Sequence, residues 1–145
     1  ILVYNLDSQN SPLDRIPDYV LGQSVFYTNA TATTQAGLSS PRGLSFDVGG
    51  QRLFVADTSN NRVIVYDASA LTNGENAANV LGQVVFTVST LGTTQLGLNA
   101  PNGVTFDPSS GMLYVADQTN NRLAIFDVGR TGNTQGKNSF YFHGL

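Results

Sequence analysis

Two copies of one polar motif contain most of the residues in this sequence that could do chemistry. The motif reads ADTSNNRV at 56–63 and ADQTNNRL at 116–123. Carboxylate and amide oxygens are ligands that suit Ca²⁺, so a calcium site is one interpretation. The sixth residue of each loop is Arg rather than the Gly of an EF-hand loop, and no bidentate Glu follows. We therefore interpret the motif as a structural turn and keep Ca²⁺ as the minor alternative.

The hydrogen-bonding groups and backbone preferences of the motif residues predict a structural role for each residue type. Asp57 would end a strand and accept backbone N–H bonds of the turn. The paired Asn residues tolerate the left-handed backbone that tight turns require. Arg62 would open the next strand and reach back to the Asp, contributing about 1 kcal/mol or less if the pair is exposed. The predicted motif residues are Asp57, Asn60, Asn61, Arg62, Asp117, Asn120, Asn121 and Arg122.

The sequence contains no recognisable catalytic constellation. His143 is its only histidine, and its only glutamate, Glu75, lies in a loop that varies between the two copies. A Ser/His/Asp arrangement, a Gly-rich phosphate loop and a cluster of metal ligands are all missing. We therefore expect no catalytic residues and no cofactor in this chain.

An internal repeat positions the two motifs. Residues 21–80 align with residues 81–140 without a gap, beginning with LGQSVF and LGQVVF. In each copy an innermost strand, GLSFD at 43–47 or GVTFD at 103–107, precedes the hairpin that carries the motif. A fourth strand follows as ANVLGQ at 78–83, matched earlier by DYVLGQ at 18–23. Because helical periodicity is absent, the chain is predicted to be all-β.

Repeated sheets of four antiparallel strands are the blades of a β-propeller. We predict about two and a half blades: an outer half-blade at 1–23, a blade at 24–83 and a blade at 84–145. ILVYN at 1–5 would be the third strand of the half-blade, and NSFYFHGL at 138–145 the fourth strand of the last blade. Propellers usually need at least four blades. The chain is therefore expected to be part of a longer propeller, or a subunit whose ring is completed by other chains.

Aromatic and glycine positions recur with the repeat. The recurring aromatic pairs, which we predict to form the core between blades, are Phe26 and Phe86, Phe46 and Phe106, Phe54 and Tyr114, and Tyr66 and Phe126. Gly43 and Gly103 would allow close backbone packing near a central channel. Arg42 and Asn102, beside these glycines, are candidate contacts at the channel mouth.

Composition narrows the classes of partner. Charged residues make up 12% of the chain, its net charge is −3, and no basic cluster is present. Nucleic-acid binding normally needs such a cluster, so we expect no nucleic-acid partner. No apolar run is long enough for a membrane-spanning helix, so we expect no membrane insertion. The chain has no cysteine. Its Thr- and Asn-rich, Lys-poor composition favours an extracellular or cell-surface location in a bacterium.

The repeated pattern PRGLSFD…LFVADTSNNRVIVYD and PNGVTFD…LYVADQTNNRLAIFD resembles the NHL repeat, a family of six-bladed propellers. The added VLGQ segment and the long period resemble bacterial secreted NHL proteins. The resemblance implies a fold more than an activity. It favours a non-enzymatic scaffold for protein interactions, with other protein chains or further blades of the same protein as partners.

Two alternatives remain open at this point. The chain could be part of a propeller enzyme, similar to the amidating lyases or the calcium-dependent lactonases, with an active site completed by missing blades. It could also be a subunit that assembles into a ring or filament through its open blade edges.

Overall fold

We describe the fold from a computed structural model, in which residues 1–129 are described. Nine strands and two short 3₁₀ turns make up the regular structure of this part of the chain, and the expected all-β class is confirmed. The strands are β1 (Leu2–Val3), β2 (Tyr19–Val20), β3 (Pro41–Asp47), β4 (Arg52–Asp57), β5 (Arg62–Asp67), β6 (Asn79–Leu81), β7 (Pro101–Asp107), β8 (Met112–Asp117) and β9 (Arg122–Asp127). The 3₁₀ turns are Thr58–Asn60 and Gln118–Asn120.

The strands form three antiparallel sheets. The first sheet is β1-β2, the middle sheet is β3-β4-β5-β6 and the last sheet is β7-β8-β9. In the middle sheet each strand pairs with the next one along the chain, as expected for a propeller blade. The predicted strand at 138–145 and His143 lie outside the described residues. The blade boundaries at 23, 83 and 145 stay a prediction.

Local backbone geometry sets where the strands end. The fourth strand of the middle sheet was predicted at 78–83 but covers only Asn79–Leu81. Its counterpart in the first sheet, predicted at 18–23, covers only Tyr19–Val20. Gly82 and Gly22 follow with φ of 83° and 84°, a left-handed backbone that ends the ladder. The innermost strand begins two residues earlier than predicted, at Pro41, with a β-bulge before Leu44.

Strands β4 and β5 of the middle sheet are buried on both faces, whereas Leu44 and Phe46 on β3 are about half exposed. One face packs against the last sheet, and its side chains are among the most buried in the protein. The members of this face are Phe54, Ala56, Val63 and Val65, and the last sheet contributes Val104, Phe106, Leu113, Val115, Ala124 and Phe126. The other face packs Val55, Ile64 and Tyr66 against Leu21, Leu38 and Ala77. Burial on both faces explains why these strands are nearly continuous apolar runs.

Phe54 and Phe106 form the centre of the contact between the middle and last sheets. Their rings stack with centroids 5.6 Å apart and an interplanar angle of 26°. This offset-stacked geometry adds to the free energy gained from burying the two rings.

The prediction that all the recurring aromatic residues belong to the core is wrong for two of them. Phe46 is 50% exposed and Phe26 is 37% exposed. Phe106, the counterpart of Phe46, is only 8% exposed because it lies against the middle sheet. The first sheet has only two short strands in the described residues, and Phe46 is left half exposed.

This difference gives a matched pair of substitutions. Phe106→Ala should lower the free energy of unfolding by about 3 kcal/mol, because it removes a buried ring and leaves a cavity. Phe46→Ala should change it by less than about 1 kcal/mol, because the ring is already half solvated. Urea unfolding followed by circular dichroism would measure both. Equal losses would contradict the packing described above.

Candidate functional site

The first copy of the polar motif forms a buried cluster at the β4–β5 turn. Asp57 and Arg62 are the last and first residues of the two strands and face each other across the hairpin. Arg62 Nε donates to Asp57 Oδ2 at 2.7 Å, and both side chains are completely buried. Asn60 Nδ2 donates to the same Asp57 oxygen at 2.8 Å. The polar groups of the hairpin thus satisfy one another away from water.

The remaining donors of Arg62 hold the long polar loops beside the hairpin. Nη2 donates to the carbonyls of Thr34 and Gly37, each at 2.9 Å, and Nη1 donates to the carbonyl of Phe86. Asn60 Nδ2 also donates to the Ala32 carbonyl at 2.9 Å. These carbonyls lie in segments without regular strands, so the guanidinium supplies the donors that a sheet would otherwise provide.

Two of the predicted roles need correction. Asp57 does not cap the hairpin turn. Instead its Oδ1 accepts the backbone N–H of Ser39, eighteen residues upstream, at 2.6 Å. Asn60 lies inside the 3₁₀ turn, and only Asn61 adopts the left-handed conformation, with φ of 54°. The ion pair is buried rather than exposed, so the small stabilisation expected for an exposed pair does not apply.

The second copy repeats this geometry at the β8–β9 turn. Arg122 Nε lies 2.7 Å from Asp117 Oδ2, and Asn120 Nδ2 donates to the same oxygen at 2.8 Å. Arg122 also donates to the carbonyls of Thr93, Thr94 and Gly97. Asn121 is left-handed, with φ of 51°. The Arg122 side chain is 20% exposed, whereas that of Arg62 is completely buried.

Asn61 links the two repeats. Its side-chain amide donates to the Ser89 carbonyl at 2.9 Å and accepts the backbone N–H of Ala100 at 2.9 Å. Gln83 Nε2 donates to the Asn61 carbonyl at 2.9 Å. Thr58 adds a buried bond from its hydroxyl to the Pro101 carbonyl at 2.7 Å. The hairpin turn of the middle sheet is therefore fixed to the loop and strand that begin the next repeat.

Arg52 forms a second polar link between the sheets. The sequence motifs did not predict this role. Its guanidinium is 2.7 Å from Asp47 Oδ2 and donates to the carbonyls of Val128 and Gly129. It also lies over the stacked rings of Phe54 and Phe106, 5.3 and 5.5 Å from their centroids. The counterpart of Arg52 in the second copy is Met112, so this break in the repeat was the available sequence signal.

Contact with Arg52 stabilises the ionised form of the Asp47 carboxylate. Burial alone would raise the pKa of Asp47, but hydrogen bonds from Arg52 and from the Gly50 backbone outweigh burial and lower the pKa below its ordinary value. A carboxyl group whose pKa is lowered in the folded state stabilises the fold at pH values above its ordinary pKa of about 4. That contribution is lost as the pH falls through the folded-state pKa.

The two candidate channel-mouth residues lie on neighbouring innermost strands. Arg42 is exposed on β3, and Asn102 on β7 donates from its side-chain amide to Gln118 Oε1 at 2.9 Å. The Asn102 carbonyl lies against Gly43, where an added Cβ would come within 2.4 Å of it. Contact of Arg42 or Asn102 with a ligand stays a prediction.

Among residues 1–129, no three His, Asp or Glu side chains lie close enough together to hold a metal ion. Both Asp57 carboxylate oxygens are occupied by N–H donors. No helix in the described part of the chain is long and apolar enough to cross a membrane.

The different burial of the two ion pairs predicts unequal substitution costs. Arg62→Ala should lower the free energy of unfolding by about 4 kcal/mol, because it leaves a buried carboxylate without its counter-ion. Arg122→Ala should cost clearly less, because water reaches that pair. Denaturant unfolding of both variants would measure the difference. A larger loss for Arg122→Ala would contradict the assigned burial.

The Asp47 contact predicts a dependence on pH. Asp47→Asn should lower the free energy of unfolding at pH 7 by about 2 kcal/mol, the value of a hydrogen bond to a charged group. The difference from the wild type should shrink as the pH falls below about 4, because the wild-type carboxylate then becomes protonated. Unfolding curves between pH 2 and pH 7 would test this, with Asp127→Asn as a solvent-exposed control; a pH-independent difference would contradict it.

Comparisons with known proteins agree with the repeat. A family model described as the NHL repeat matches residues 38–66 and 98–126, which cover the β3–β5 and β7–β9 segments up to their last residues, Asp67 and Asp127. "NHL repeat-containing protein 2" of Bos taurus is 32% identical over 98 residues, covering 64% of this chain and 12% of the relative. The Gallus gallus protein of the same name is 30% identical over 102 residues, covering 67% of this chain and 13% of the relative. The chain thus spans about an eighth of the length of these relatives.

Proposed function

This chain belongs to the NHL-repeat family, and we propose that it serves as a non-enzymatic scaffold for protein interactions at the cell surface or outside the cell. The proposal is supported by the contacts that the charged side chains of the motif make. The Asp57 carboxylate and the Arg62 guanidinium are turned inward and bonded to the hairpin and its loops. Side chains committed in this way stabilise a fold and are not available to a substrate.

The solvent-facing groups suit binding better than catalysis. Arg42 is exposed on the innermost strand β3, and Asn102 on the neighbouring innermost strand β7 is bonded to Gln118. Loops presented by a rigid sheet scaffold are common binding surfaces. Exposed Arg is enriched in protein interfaces and is a frequent binding hot spot. We therefore place the partner-binding surface at the rim that carries Arg42 and Asn102. The extracellular part of the proposal is supported by the Thr- and Asn-rich, Lys-poor composition.

Arg42→Glu provides the test of the binding surface. A partner captured from an extracellular fraction should be identified, purified and titrated against the wild type and the variant by calorimetry. Reversing the charge should weaken binding at least about tenfold, which corresponds to 1.4 kcal/mol. Asp67→Asn, an exposed change at the other end of the hairpin strands, should leave the affinity unchanged. Unaltered binding by Arg42→Glu would contradict the proposed surface.

The non-enzymatic part needs a separate measurement. The purified protein should be assayed against lactone, ester and peptidyl-α-hydroxyglycine substrates, with added Ca²⁺ and with chelator. We expect no turnover above the buffer rate and no shift of the melting temperature on adding Ca²⁺. Turnover that co-purifies with the folded chain would overturn the proposal in favour of a propeller enzyme.

A further inference from the structure

Two long loops lie at the end of the sheets that carries the Thr58–Asn60 and Gln118–Asn120 turns, which we call the turn end. The first loop, at 21–40, joins β2 to β3, and the second, at 82–100, joins β6 to β7. Both expose large apolar side chains, a feature that is typical of binding surfaces when such side chains are grouped. They include Val25 and Tyr27 in the first loop and Val84, Val85, Leu91 and Leu96 in the second.

The exposure of these positions is a property of the loops and not of their neighbours. Val25 and its counterpart Val85 are 48% and 49% exposed. Ser24 is exposed, and its counterpart Val84 is 81% exposed. The structure contains the repeat that follows the first loop and the repeat that precedes the second. Neither neighbour covers these positions, so they face solvent whichever repeat lies beside them.

The second loop is the more apolar of the two. Val84, Leu91 and Leu96 are 81%, 61% and 54% exposed. The first loop has smaller or more polar residues at the equivalent positions, which are Ser24, Thr31 and Ala36. Because exposed apolar side chains gain nothing from the fold, these three replacements point to a function outside the chain.

Two backbone contacts bring the segments that carry these three side chains together. Gln83 Nε2 donates to the Thr90 carbonyl at 2.7 Å, which joins the first segment to the second. Gly92 and Gly97 touch through their backbones, since a Cβ added at Gly92 would lie 2.9 Å from the Gly97 Cα. This contact joins the second segment to the third. The second loop therefore presents one apolar surface.

The backbone of the second loop is bonded from inside the molecule. Arg62 and Asn61 of the first hairpin donate to the carbonyls of residues 86 and 89. Asn120 and Arg122 of the second hairpin donate to the carbonyls of residues 92, 93, 94 and 97. A loop can leave water for an apolar medium only when its backbone groups have such partners. These carbonyls meet that requirement before any ligand binds.

The acidic side chains are distributed unequally between the two ends of the sheets. At the turn end they are Asp57 and Asp117, both completely buried and paired with Arg. The remaining acidic residues of the sequence lie at the opposite strand ends and in the loops there, and these are Asp7, Asp14, Asp18, Asp47, Asp67, Glu75, Asp107 and Asp127. The turn end therefore presents no carboxylate to solvent, although it exposes the cation of Arg42.

We propose that the turn end docks on the surface of a lipid bilayer, with Val84, Leu91 and Leu96 inserted at the level of the headgroups. A lipid surface is the occupant because its negative potential repels carboxylates, and the end that carries the apolar loops exposes none. Uncharged apolar side chains on an internally bonded backbone are also what an interfacial site requires. This is adsorption through loops and needs no membrane-spanning helix. It goes beyond the proposed scaffold function, and a protein bound at Arg42 would be held at the lipid surface.

Val84→Asp and Leu91→Asp test this docking. The wild type should co-sediment with vesicles of phosphatidylcholine and with vesicles that also contain phosphatidylglycerol. Binding to the anionic vesicles should be at least as tight, despite a net charge of −3, because the carboxylates face away from the lipid. Each substitution places a charge in the inserted loop and should lower the partition coefficient at least about tenfold. Both positions are well exposed, so the fold should be kept, which circular dichroism would verify.

Val48→Asp and Leu13→Asp are matched controls at the opposite end of the sheets. Val48 is 78% exposed, against 81% for Val84, and Leu13 is 70% exposed, against 61% for Leu91. Each control adds the same charge to the same type of residue at similar exposure, so only its location differs. Both controls should bind vesicles as the wild type does.

Three results would overturn the proposal. A wild type that stays in the supernatant at all lipid concentrations would leave an apolar protein surface as the occupant of the loops. Equal weakening by the control substitutions would show that net charge, and not loop insertion, governs binding. Weaker binding to the anionic vesicles would place the acidic end against the lipid. Because no protein partner is present in this experiment, its failure leaves the scaffold function to be decided by the Arg42→Glu titration.

Discussion

The buried pair of Asp57 and Arg62 is the interaction on which the rest of this structure depends. Burying two charges costs desolvation free energy that their mutual attraction offsets only when the remaining hydrogen-bonding groups are also satisfied. Here the carboxylate accepts three N–H groups, and the guanidinium donates to three loop carbonyls in addition to Asp57. The planar, five-donor shape of Arg suits this arrangement, and the single ammonium of Lys does not. The pair thereby organises loops that have too little regular structure to organise themselves.

Those loops in turn allow the sheets to stack. The connection between β2 and β3 is about twenty residues long and contains no strand or helix, which is unusual inside a compact domain. Arg62 and Asn60 hold its middle through the carbonyls at 32, 34 and 37. The following loop is held through Phe86 and Ser89 by Arg62 and Asn61. The Phe54 and Phe106 rings stack between the same two sheets, and Arg52 lies over both of them. Polar contacts at the turns and apolar contact between the sheets therefore connect the same two repeats.

The repeat predicted the fold well because it constrains every level of structure at once. Its period located the sheets, and its apolar runs located the hairpins. The Asn-Asn pairs predicted left-handed residues at both turns, but only the second Asn of each pair, Asn61 or Asn121, adopts that conformation. It could not show that Ser39 is the backbone partner of Asp57, because that contact joins residues far apart in the chain. It also predicted equal burial for Phe46 and Phe106. Equivalent residues of a repeat have equal burial only when they have equivalent neighbours, and the sheets beside these two differ.

The residues that fix the fold recur in both repeats, whereas other positions differ and distinguish one repeat from the other. Asp57 and Arg62 recur as Asp117 and Arg122 with the same 2.7 Å contact, so this pair can specify only what the two repeats have in common. Arg52 and Met112 differ, and the difference gives the contact between the middle and last sheets a charged cover over its aromatic stack. Arg42 and Asn102 differ as well, at the exposed end of the innermost strands. In a protein built from copies, recognition of a particular partner requires that the symmetry between the copies be broken. The rim around Arg42 satisfies that requirement, whereas the polar motif, for all its charge, does not.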